Sequence, residues 1–262
     1  MRILLSNDDG IHAPGLRFLY AALREAGHEV TVVAPMAEQS GTSSSVTLIM
    51  PLRVRHIRDG EFSGIGVFGS PADCVKLALA ELLPEKPDLV MAGINAGDNT
   101  GVDVIYSGTV AAALEGALSG HHAVAVSYDA FRFEDISEQA QHAANLISAV
   151  DWSRIPPRRV LNLNYPRCPL SEAKGLRICP PAEAPWEDRY EERQDLRGFP
   201  YWWISGYMSA DAIAPGSDRS LLTQGYITLS PLRFEFADTA TQDELESMFG
   251  LGRSEGHCLQ KT

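Results

Sequence analysis

The chain has 262 residues, 45% of them hydrophobic, and a formal net charge of −12 at pH 7. This length accommodates one large α/β domain or two small ones. The negative charge argues against a nucleic-acid polymer as partner, because sequence-independent binding to a polyanion needs a basic surface. No apolar run approaches the roughly 20 residues of a membrane span, so we expect no membrane partner either.

The four cysteines bear on the location of the chain. Cys74, Cys168, Cys179 and Cys258 are widely separated and form no C-x-x-C pair. We expect free thiols in a reducing cytoplasm, not disulfides or a zinc site. The N-terminus has one Arg followed by a strand-like run, which is not the pattern of a signal peptide. The prediction is a cytoplasmic protein.

The first ten residues carry the most informative pattern. A short apolar run at 3–5 leads into Asn7, Asp8, Asp9 and Gly10. Such a run is typical of a buried parallel strand, and open α/β sheets bind ligands beyond the carboxyl ends of their strands. Adjacent carboxylates repel each other unless a cation or hydrogen-bond donors compensate them. Two interpretations stay open here, a metal site and an ordinary solvated turn.

The next residues complete a strand–helix–strand unit. Pro14 is expected in the first turn of a helix, and β-branched residues predict a strand over 29–34. No G-x-G-x-x-G follows the first strand, which disfavours a dehydrogenase. The loop at 35–47 leaves the carboxyl end of the second strand, so it brings Ser40 to the same edge as the two aspartates.

Strands and helices continue to alternate as far as residue 165. The predicted elements are strands at 52–57 and 62–68 around an Asp-Gly turn, a helix capped by Ser70, a strand at 88–94, a helix opened by Ser107, a strand at 123–127, a helix at 134–150 and a strand at 160–164.

Two polar positions flank the loop after the strand at 88–94. Asn95 stands at the carboxyl end of that strand, although Asn between glycines is more often a turn residue. Ser107 opens a helix rich in Ala and Val, whose free N–H groups make an anion site. Simple capping by Ser107 or Thr109 explains the same residues, and both interpretations stay open.

From residue 166 onward the pattern changes to strand-like runs separated by turns. We predict one domain over 1–262, with an α/β core at 1–165 and a β-rich extension at 166–262. The extension is expected to contain strands at 176–179, 201–205 and 226–236, a charged surface segment at 183–197, and a final helix opened by a Thr241-x-x-Glu244 capping box. Its aromatic residues fit core packing or a subunit interface: Tyr201, Trp202, Trp203 and Tyr207.

The polar residues at the strand ends form one constellation, made of Asp8, Asp9, Ser40, Asn95 and the helix terminus at Ser107. Carboxylate, hydroxyl and amide oxygens suit Mg²⁺, Mn²⁺ or Ca²⁺, not zinc. An anion-binding helix terminus beside such a metal completes a phosphoester site. The residues therefore predict a metal-dependent phosphoryl enzyme.

Several long segments of the chain belong together: SNDDGIHAPGL (6–16), QSG (39–41), GSPADCV (69–75), AGINAGDN (92–99) and YSGTVAAALEG (106–116). In this order they resemble the SurE survival protein family of nucleotidases. The resemblance implies a Rossmann-like, mostly parallel sheet flanked by helices. It also implies hydrolysis of nucleoside monophosphates, with 3′-nucleotides and short polyphosphate as open possibilities.

The resemblance further implies specific site residues. Catalytic roles fall on Asp8 and Asp9, and one Mg²⁺ or Mn²⁺ per subunit would be bound by Asp8, Asp9, Ser40 and Asn95. The phosphate would lie among Asn99, Ser107, Gly108 and Thr109. A homodimer or homotetramer would form through the C-terminal extension.

Other functions fit these residues less well. A phosphatase with a D-x-D nucleophile motif is disfavoured because Gly10 stands where the second acid is needed. A non-catalytic nucleotide-binding module has no need for abutting carboxylates. Direct attack by water and an aspartyl-phosphate at Asp8 stay open as routes. The motif loops have only Arg17 nearby, so phosphate binding is expected to use backbone N–H groups.

Overall fold

The computed structural model describes residues 1–132, 135–235 and 237–250. They belong to two compact units, one over 1–232 and one from Arg233 onward. In chain order the elements are β1 (Arg2–Ser6), α1 (Pro14–Glu25), β2 (Glu29–Pro35), β3 (Val54–Asp59), β4 (Phe62–Val67), α2 (Pro71–Leu77), β5 (Leu89–Ala96), α3 (Gly108–Leu118), β6 (His122–Tyr128), α4 (Ser137–Ala149), β7 (Arg159–Tyr165), β8 (Leu176–Ile178), β9 (Tyr190–Gln194), β10 (Pro200–Ile204), α5 (Asp218–Thr223), β11 (Ile227–Arg233) and α6 (Thr239–Met248).

Nine of the described strands form one sheet, in the order β3-β4-β2-β1-β5-β6-β7-β11-β8. The strands from β4 to β7 in this order are parallel, β3 is antiparallel to β4, and β8 is parallel to β11. The predicted mostly parallel sheet is therefore confirmed. The chain adds β2 on one side of β1 and later adds β5 on the other. The crevice where such sheets bind ligands thus lies between β1 and β5.

Two layers of helices cover the sheet because β5 is apolar on both faces. Met91 belongs to a core cluster with Leu19 of α1 and Ile147 of α4. The neighbouring Val90 faces Gly116 of α3, where an added Cβ would lie 2.5 Å from the Val90 Cβ. Consecutive strand residues point to opposite faces. Therefore α1 and α4 cover one face, and α3, which packs beside α2, covers the other.

Local signals placed several element ends correctly. Pro14 occupies the first turn of α1. Ser70 caps α2 in a full capping box: its Oγ accepts from the Asp73 N–H at 3.1 Å, and Asp73 Oδ2 accepts from the Ser70 N–H at 2.9 Å. The hairpin predicted around the Asp-Gly turn is present as β3 and β4.

Other predicted ends were wrong. The helix expected from 134 begins at Ser137, and Glu134 lies outside the described residues. The strand expected over 226–236 ends at Arg233, and Phe236 is likewise outside them. The predicted capping box of α6 is wrong, because the N-cap of the helix is Asp238, three residues before Thr241. Its Oδ1 accepts from the Thr241 N–H at 3.0 Å.

The charged segment at 183–197 is largely exposed as predicted, but part of it forms β9. That strand pairs antiparallel with β10 in a separate two-stranded sheet. The prediction that the aromatic residues of this region pack in the core is wrong, since Trp202 and Trp203 are 55% and 58% exposed. The subunit-interface interpretation stays a prediction.

The remaining sequence expectations concern thiols and membranes. Cys74, Cys168 and Cys179 are free, as predicted, and Cys258 lies outside the described residues. Within the described part of the chain, none of the helices has the length and apolar character needed to cross a membrane.

Candidate active site

The turn after β1 holds both aspartates in a fixed conformation. The Asn7 side-chain amide donates to the Gly10 carbonyl at 3.0 Å and closes the turn. Gly10 has a φ of +100°, a conformation that favours glycine. The Gln39 N–H donates to the Asp8 carbonyl at 2.8 Å, so the loop after β2 lies against the turn. Asn7 was not predicted as a site residue, although Asn before a glycine turn is a known signal.

Asp8 is buried against the N-terminus of α3. Its Oδ1 accepts from the Thr109 hydroxyl, and the backbone N–H groups of Gly108 and Thr109 also stabilise its charged form. An added Cβ on Gly108 would lie 2.7 Å from the Asp8 Cβ, so only glycine permits this close approach. The positive end of the α3 dipole therefore points at this carboxylate.

Asn95, at the end of β5, presents its carbonyl oxygen to the same site. Its Nδ2 donates to the Gly97 carbonyl at 2.8 Å, which fixes the orientation of the amide. Its Oδ1 then lies 3.5 Å from the Thr109 hydroxyl oxygen. A hydroxyl has one proton, and the shorter bond gives that proton to Asp8. The Asn95 Oδ1 is thus left able to bind another group.

Asp9 completes a pair of repelling carboxylates. Burial, followed by the charge of Asp8, raises the pKa of Asp9 to about 7, although the Ala96 N–H donates to its Oδ2 at 3.1 Å. Glu38 raises this pKa further. Burial also raises the pKa of Asp8, against the opposing hydrogen bonds from α3. Among the described residues no Lys, Arg or His forms an ion pair with either carboxylate.

This donor set fits a hard divalent cation. Asp8, Asp9 and Asn95 offer three oxygen atoms of the kind that Mg²⁺ and Mn²⁺ prefer. In the described residues no three or more His, Cys, Asp or Glu side chains gather at metal-binding spacing. The site therefore combines two carboxylates with the neutral amide oxygen of Asn95. A cation held by so few side chains would keep coordination positions open for substrate oxygens.

Ser40 lies in the loop that follows β2. Its side chain is exposed, and its hydroxyl donates to Glu38 Oε1 at 2.8 Å. Gln39 contacts Asp8 and the charge of Glu38 acts on Asp9, so the loop approaches the site from the β2 side. A ligand role for Ser40 stays a prediction.

Two of the predicted phosphate-binding residues are held in different ways, Ser107 as the cap of α3 and Asn99 by side chains of β7. Ser107 caps α3, its Oγ accepting from the Val110 N–H at 3.0 Å, so the capping interpretation is confirmed. The carbonyl of Asn99 accepts from the side chains of Asn162 at 2.7 Å and Asn164 at 3.2 Å. These two β7 residues were missed, although their alternate spacing places both on one face of a buried strand.

A half-buried arginine near the site was also missed. Arg219 of α5 donates to the Thr100 carbonyl at 3.2 Å and pairs with Asp103, which lies just before α3. Arg17 instead pairs with Asp59 at 3.3 Å, and its guanidinium carbon lies 3.4 Å from the centre of the Phe62 ring. No local pattern could link Arg219 to a loop more than a hundred positions earlier.

In the folded protein the pKa of Asp9 is about 7. Without metal, the free energy of unfolding is therefore expected to fall as the pH rises from about 4 to about 7. An Asp in the unfolded chain has a pKa of about 3.9, so the folded state binds this proton more tightly. Its stabilising effect is fully present below that value and is lost as pH rises through the folded pKa. In EDTA, Asp9→Asn should flatten the urea-unfolding profile by on the order of 3 to 4 kcal/mol. Exposed Glu25→Gln is the control, and an unchanged slope in Asp9→Asn would contradict the expectation.

Comparison with known proteins shows matches along nearly the whole chain. The family model described as Survival protein SurE matches residues 3–188. A 5′-nucleotidase SurE from Nitratidesulfovibrio vulgaris (strain DP4) is 55% identical over 248 residues, covering 95% of this chain and 99% of the relative. One from Lawsonia intracellularis is 42% identical over 246 residues, covering 94% and 98%.

A solved structure shares the fold. The crystal structure of the SurE protein from Aquifex aeolicus has a TM-score of 0.82 and 32% sequence identity, and the match covers 95% of this chain and 100% of that one. The chain therefore belongs to the SurE survival protein family.

Proposed function

We propose that this chain is a metal-dependent 5′-nucleotidase that hydrolyses nucleoside monophosphates to nucleoside and phosphate. The observation that carries the proposal is the pair of adjacent carboxylates at the crevice between β1 and β5: Asp8 is buried against the N-terminus of α3, and Asp9 is half-buried beside the end of β5. The relatives named 5′-nucleotidase SurE, which match nearly the full length, support the substrate class. Activity on 3′-nucleotides and short polyphosphate stays a prediction.

In this proposal Asp8, Asp9 and Asn95, with Ser40 from the adjacent loop, hold one Mg²⁺ or Mn²⁺ per subunit. The cation supplies positive charge that neutralises phosphoryl oxygens as the reaction proceeds. Phosphoryl transfer depends mainly on positioning and charge stabilisation.

The phosphate is proposed to lie among Asn99, Ser107, Gly108 and Thr109. The N-terminus of α3 contributes N–H groups and the helix dipole. Asn99 is held by its backbone hydrogen bonds to β7 and by its side-chain amide, which donates to the Ser127 hydroxyl at 2.8 Å. A residue fixed on three sides is suited to orient a substrate group.

A non-catalytic nucleotide-binding module is the alternative. It would have to tolerate two neighbouring carboxylates beside a bound phosphate, which repel that anion unless a cation intervenes. No feature of the site favours binding without hydrolysis.

Phosphate release from AMP and from 4-nitrophenyl phosphate tests the proposal. We expect hydrolysis of both, loss of activity in EDTA, and recovery on adding Mn²⁺ or Mg²⁺. AMP binding without phosphate release under any metal would refute the enzyme and favour the binding module.

Ser40→Ala is expected to weaken Mn²⁺ binding about 5-fold, because a neutral hydroxyl contributes about 1 kcal/mol. Asp9→Asn removes a full charge and should weaken binding about 100-fold or more. Titration of Mn²⁺ against each variant measures both, with exposed Ser44→Ala from the same loop as control. Equal losses for Ser40→Ala and Asp9→Asn would assign Ser40 a different role.

We further propose a homodimer or homotetramer working in the cytoplasm. The exposed aromatic residues of the β9–β10 sheet, including Trp202 and Trp203, support the assembly. Light scattering on the purified protein measures its molar mass, and a monomer at every concentration would refute the assembly.

A further inference from the structure

The loop between β5 and α3, residues 97–107, carries two carboxylates at the edge of the candidate active site. Asp98 directly precedes Asn99, a proposed phosphate-binding residue, and Asp103 lies four residues before Ser107, the cap of α3. Like charges repel, so both carboxylates oppose the approach of an anionic phosphoester. The chain as a whole does not offset them, since its formal net charge is −12. A loop that admits a phosphate therefore requires a local positive charge.

Arg219 of α5 provides a positive charge at this loop. Its Nη2 pairs with Asp103, lies 3.9 Å from Asp98 Oδ2 and donates to the Thr100 carbonyl at 3.2 Å. The Arg219 side chain is 15% exposed, and its two carboxylate partners are each 24% exposed. Charges in such partly buried positions act more strongly on one another than charges in open water. Among the described residues, no other Lys or Arg forms an ion pair with a carboxylate of this loop.

Asp218 holds Arg219 in this position. Asp218 is fully buried, and its Oδ2 accepts from the Gly101 N–H at 2.9 Å while its Oδ1 accepts from the Ala182 N–H at 2.8 Å. The start of α5 is thereby attached both to the loop and to the segment after β8. An arginine that directly follows such an anchor keeps its charge at one point, so little side-chain entropy remains to be lost when a substrate binds.

The contacts of Arg219 depend on its charge more than on the shape of the guanidinium. Arginine often binds a carboxylate through a fork of two N–H groups, a geometry that lysine cannot copy. Here Nη2 makes the described polar contacts, and the buried Nε has no hydrogen-bond partner among the described residues. The guanidinium carbon lies 5.8 Å from the centre of a Trp186 ring, a contact that an ammonium group can also make. A lysine would therefore carry the same charge to nearly the same place.

A third carboxylate lies within range of the same charge. Asp129 directly follows β6, at the same edge of the sheet. Burial raises the pKa of Asp129 and the charge of Asp98 raises it further, while the charges of Arg167 and Arg219 oppose the rise. Arg167 is exposed, so solvent and salt screen its charge more strongly than that of Arg219. Loss of Arg219 would leave Asp98, Asp103 and Asp129 with little compensation.

We propose that Arg219 compensates the carboxylates around the β5–α3 loop, and that this compensation allows the anionic phosphate of the substrate to bind. The inference rests on the proposed nucleotidase function and deepens it, because it assigns part of the substrate affinity to the C-terminal extension. Arg219 acts through its charge, and Asp218 is the residue that positions it. The effect falls on KM, since a charge away from the reacting atoms acts equally on the bound substrate and on the transition state.

Kinetics at two salt concentrations test this role. At about 10 mM NaCl, Arg219→Gln should raise KM for AMP about 10-fold and change kcat less than about 2-fold. At about 1 M NaCl the increase in KM should fall below about 3-fold, because the Debye length shrinks from about 30 Å to about 3 Å. Arg219→Lys keeps the charge and should stay within about 3-fold of the wild-type KM at both concentrations.

Removal of a negative charge should reverse the defect. The double variant Arg219→Gln/Asp98→Asn restores the charge balance of the loop, and its KM at about 10 mM NaCl should return to within about 3-fold of the wild type. In Asp98→Asn the side-chain carbonyl can still accept from the Thr100 hydroxyl, as Asp98 Oδ2 does at 2.6 Å, so the loop should keep its conformation. Asp98→Asn alone should lower KM for AMP about 3-fold at the same salt concentration, and this result does not depend on the folding of Arg219→Gln.

Arg17→Gln is the matched control. Arg17 also pairs with a carboxylate, that of Asp59, and its guanidinium also lies over an aromatic ring, that of Phe62. Both partners lie beside the amino end of β4, at the edge of the sheet opposite to the candidate active site. The control should keep the wild-type KM at both salt concentrations.

Several results would overturn the proposal. They are an unchanged KM in Arg219→Gln or in Asp98→Asn, an increase in KM that is the same at both salt concentrations, and a defect that Asp98→Asn does not reverse. The last two results would make Arg219 a residue that only packs the loop against the C-terminal extension.

Binding of inorganic phosphate separates this inference from the proposed function. Its Kd, measured by calorimetry in Mg²⁺ at about 10 mM NaCl, should be about 10-fold higher for Arg219→Gln than for the wild type. A wild-type protein that releases no phosphate from AMP refutes the function, whereas this titration still decides the role of Arg219. Equal Kd values in the two proteins, or no phosphate binding by the wild type, would overturn the compensation by Arg219.

Discussion

Asp8→Asn is expected to lower kcat/KM for AMP about 10³-fold, because it removes one of the two negative charges that would hold the cation, and the cation would balance the charge of the phosphoryl oxygens. The fold should stay intact. Asn Oδ1 still accepts from Thr109, and one of two repelling anions is gone. In EDTA the thermal midpoint of Asp8→Asn should therefore not fall below that of the wild type.

Asp88→Asn is the matched control for this variant. Asp88 lies at the opposite, amino end of β5, where its Oδ2 accepts from the Arg2 N–H at 2.7 Å. It should keep wild-type kinetics. Near-normal activity and metal dependence of Asp8→Asn would remove Asp8 from the site.

An acid quench during turnover addresses the route of hydrolysis. The Asp8 carboxylate is held by the Thr109 hydroxyl and by two backbone N–H groups, which lowers its availability as a nucleophile. We therefore expect water to attack phosphorus and no phosphate to remain on the protein. Trapped phosphoryl-Asp8 would establish the covalent route while leaving the hydrolase assignment in place.

The placement of many candidate-site residues was predictable because the signals for it are local. The strand at β1 ends in adjacent aspartates, Asn95 ends β5, and Ser107 caps α3. Parallel strands bring their carboxyl ends to one edge, so short motifs far apart in sequence meet without knowledge of side-chain packing. The same reasoning placed the loop at 35–47 beside Asp8.

What could not be predicted depends on contacts between distant segments. Arg219 and Asp218 reach the loop before α3 from α5, where Asp218 Oδ2 accepts from the Gly101 N–H at 2.9 Å. Trp186 faces Asp103 from a segment that the sequence marked only as charged surface. The exposure of Trp202 likewise depends on which faces of β9 and β10 are covered, and hydrophobicity alone favours the interior.

Gly108→Ala is expected to lower kcat/KM for AMP about 100-fold, although alanine is normally favoured over glycine in a helix by up to about 1 kcal/mol. The added Cβ would lie 2.7 Å from the Asp8 Cβ and 3.1 Å from the Pro71 Cγ. Both neighbours are held in place, Asp8 by its turn and Pro71 in the first turn of α2. The N-terminus of α3 must therefore move away from the carboxylate, and a shift of about 1 Å at a reacting centre costs about 100-fold in rate.

Gly116→Ala in the same helix separates this effect from simple overpacking. Its Cβ would lie 2.5 Å from the Val90 Cβ, so the steric conflict is at least as severe. The two glycines are eight residues apart, about 12 Å along the helix axis. We expect Gly116→Ala to lose about 1–3 kcal/mol of stability in urea unfolding, with kcat/KM of the folded fraction changed less than about 3-fold. Equal activity losses in the two variants would mean that α3 acts only as a packing element, because the close approach of Asp8 to its N-terminus would then contribute nothing specific to catalysis.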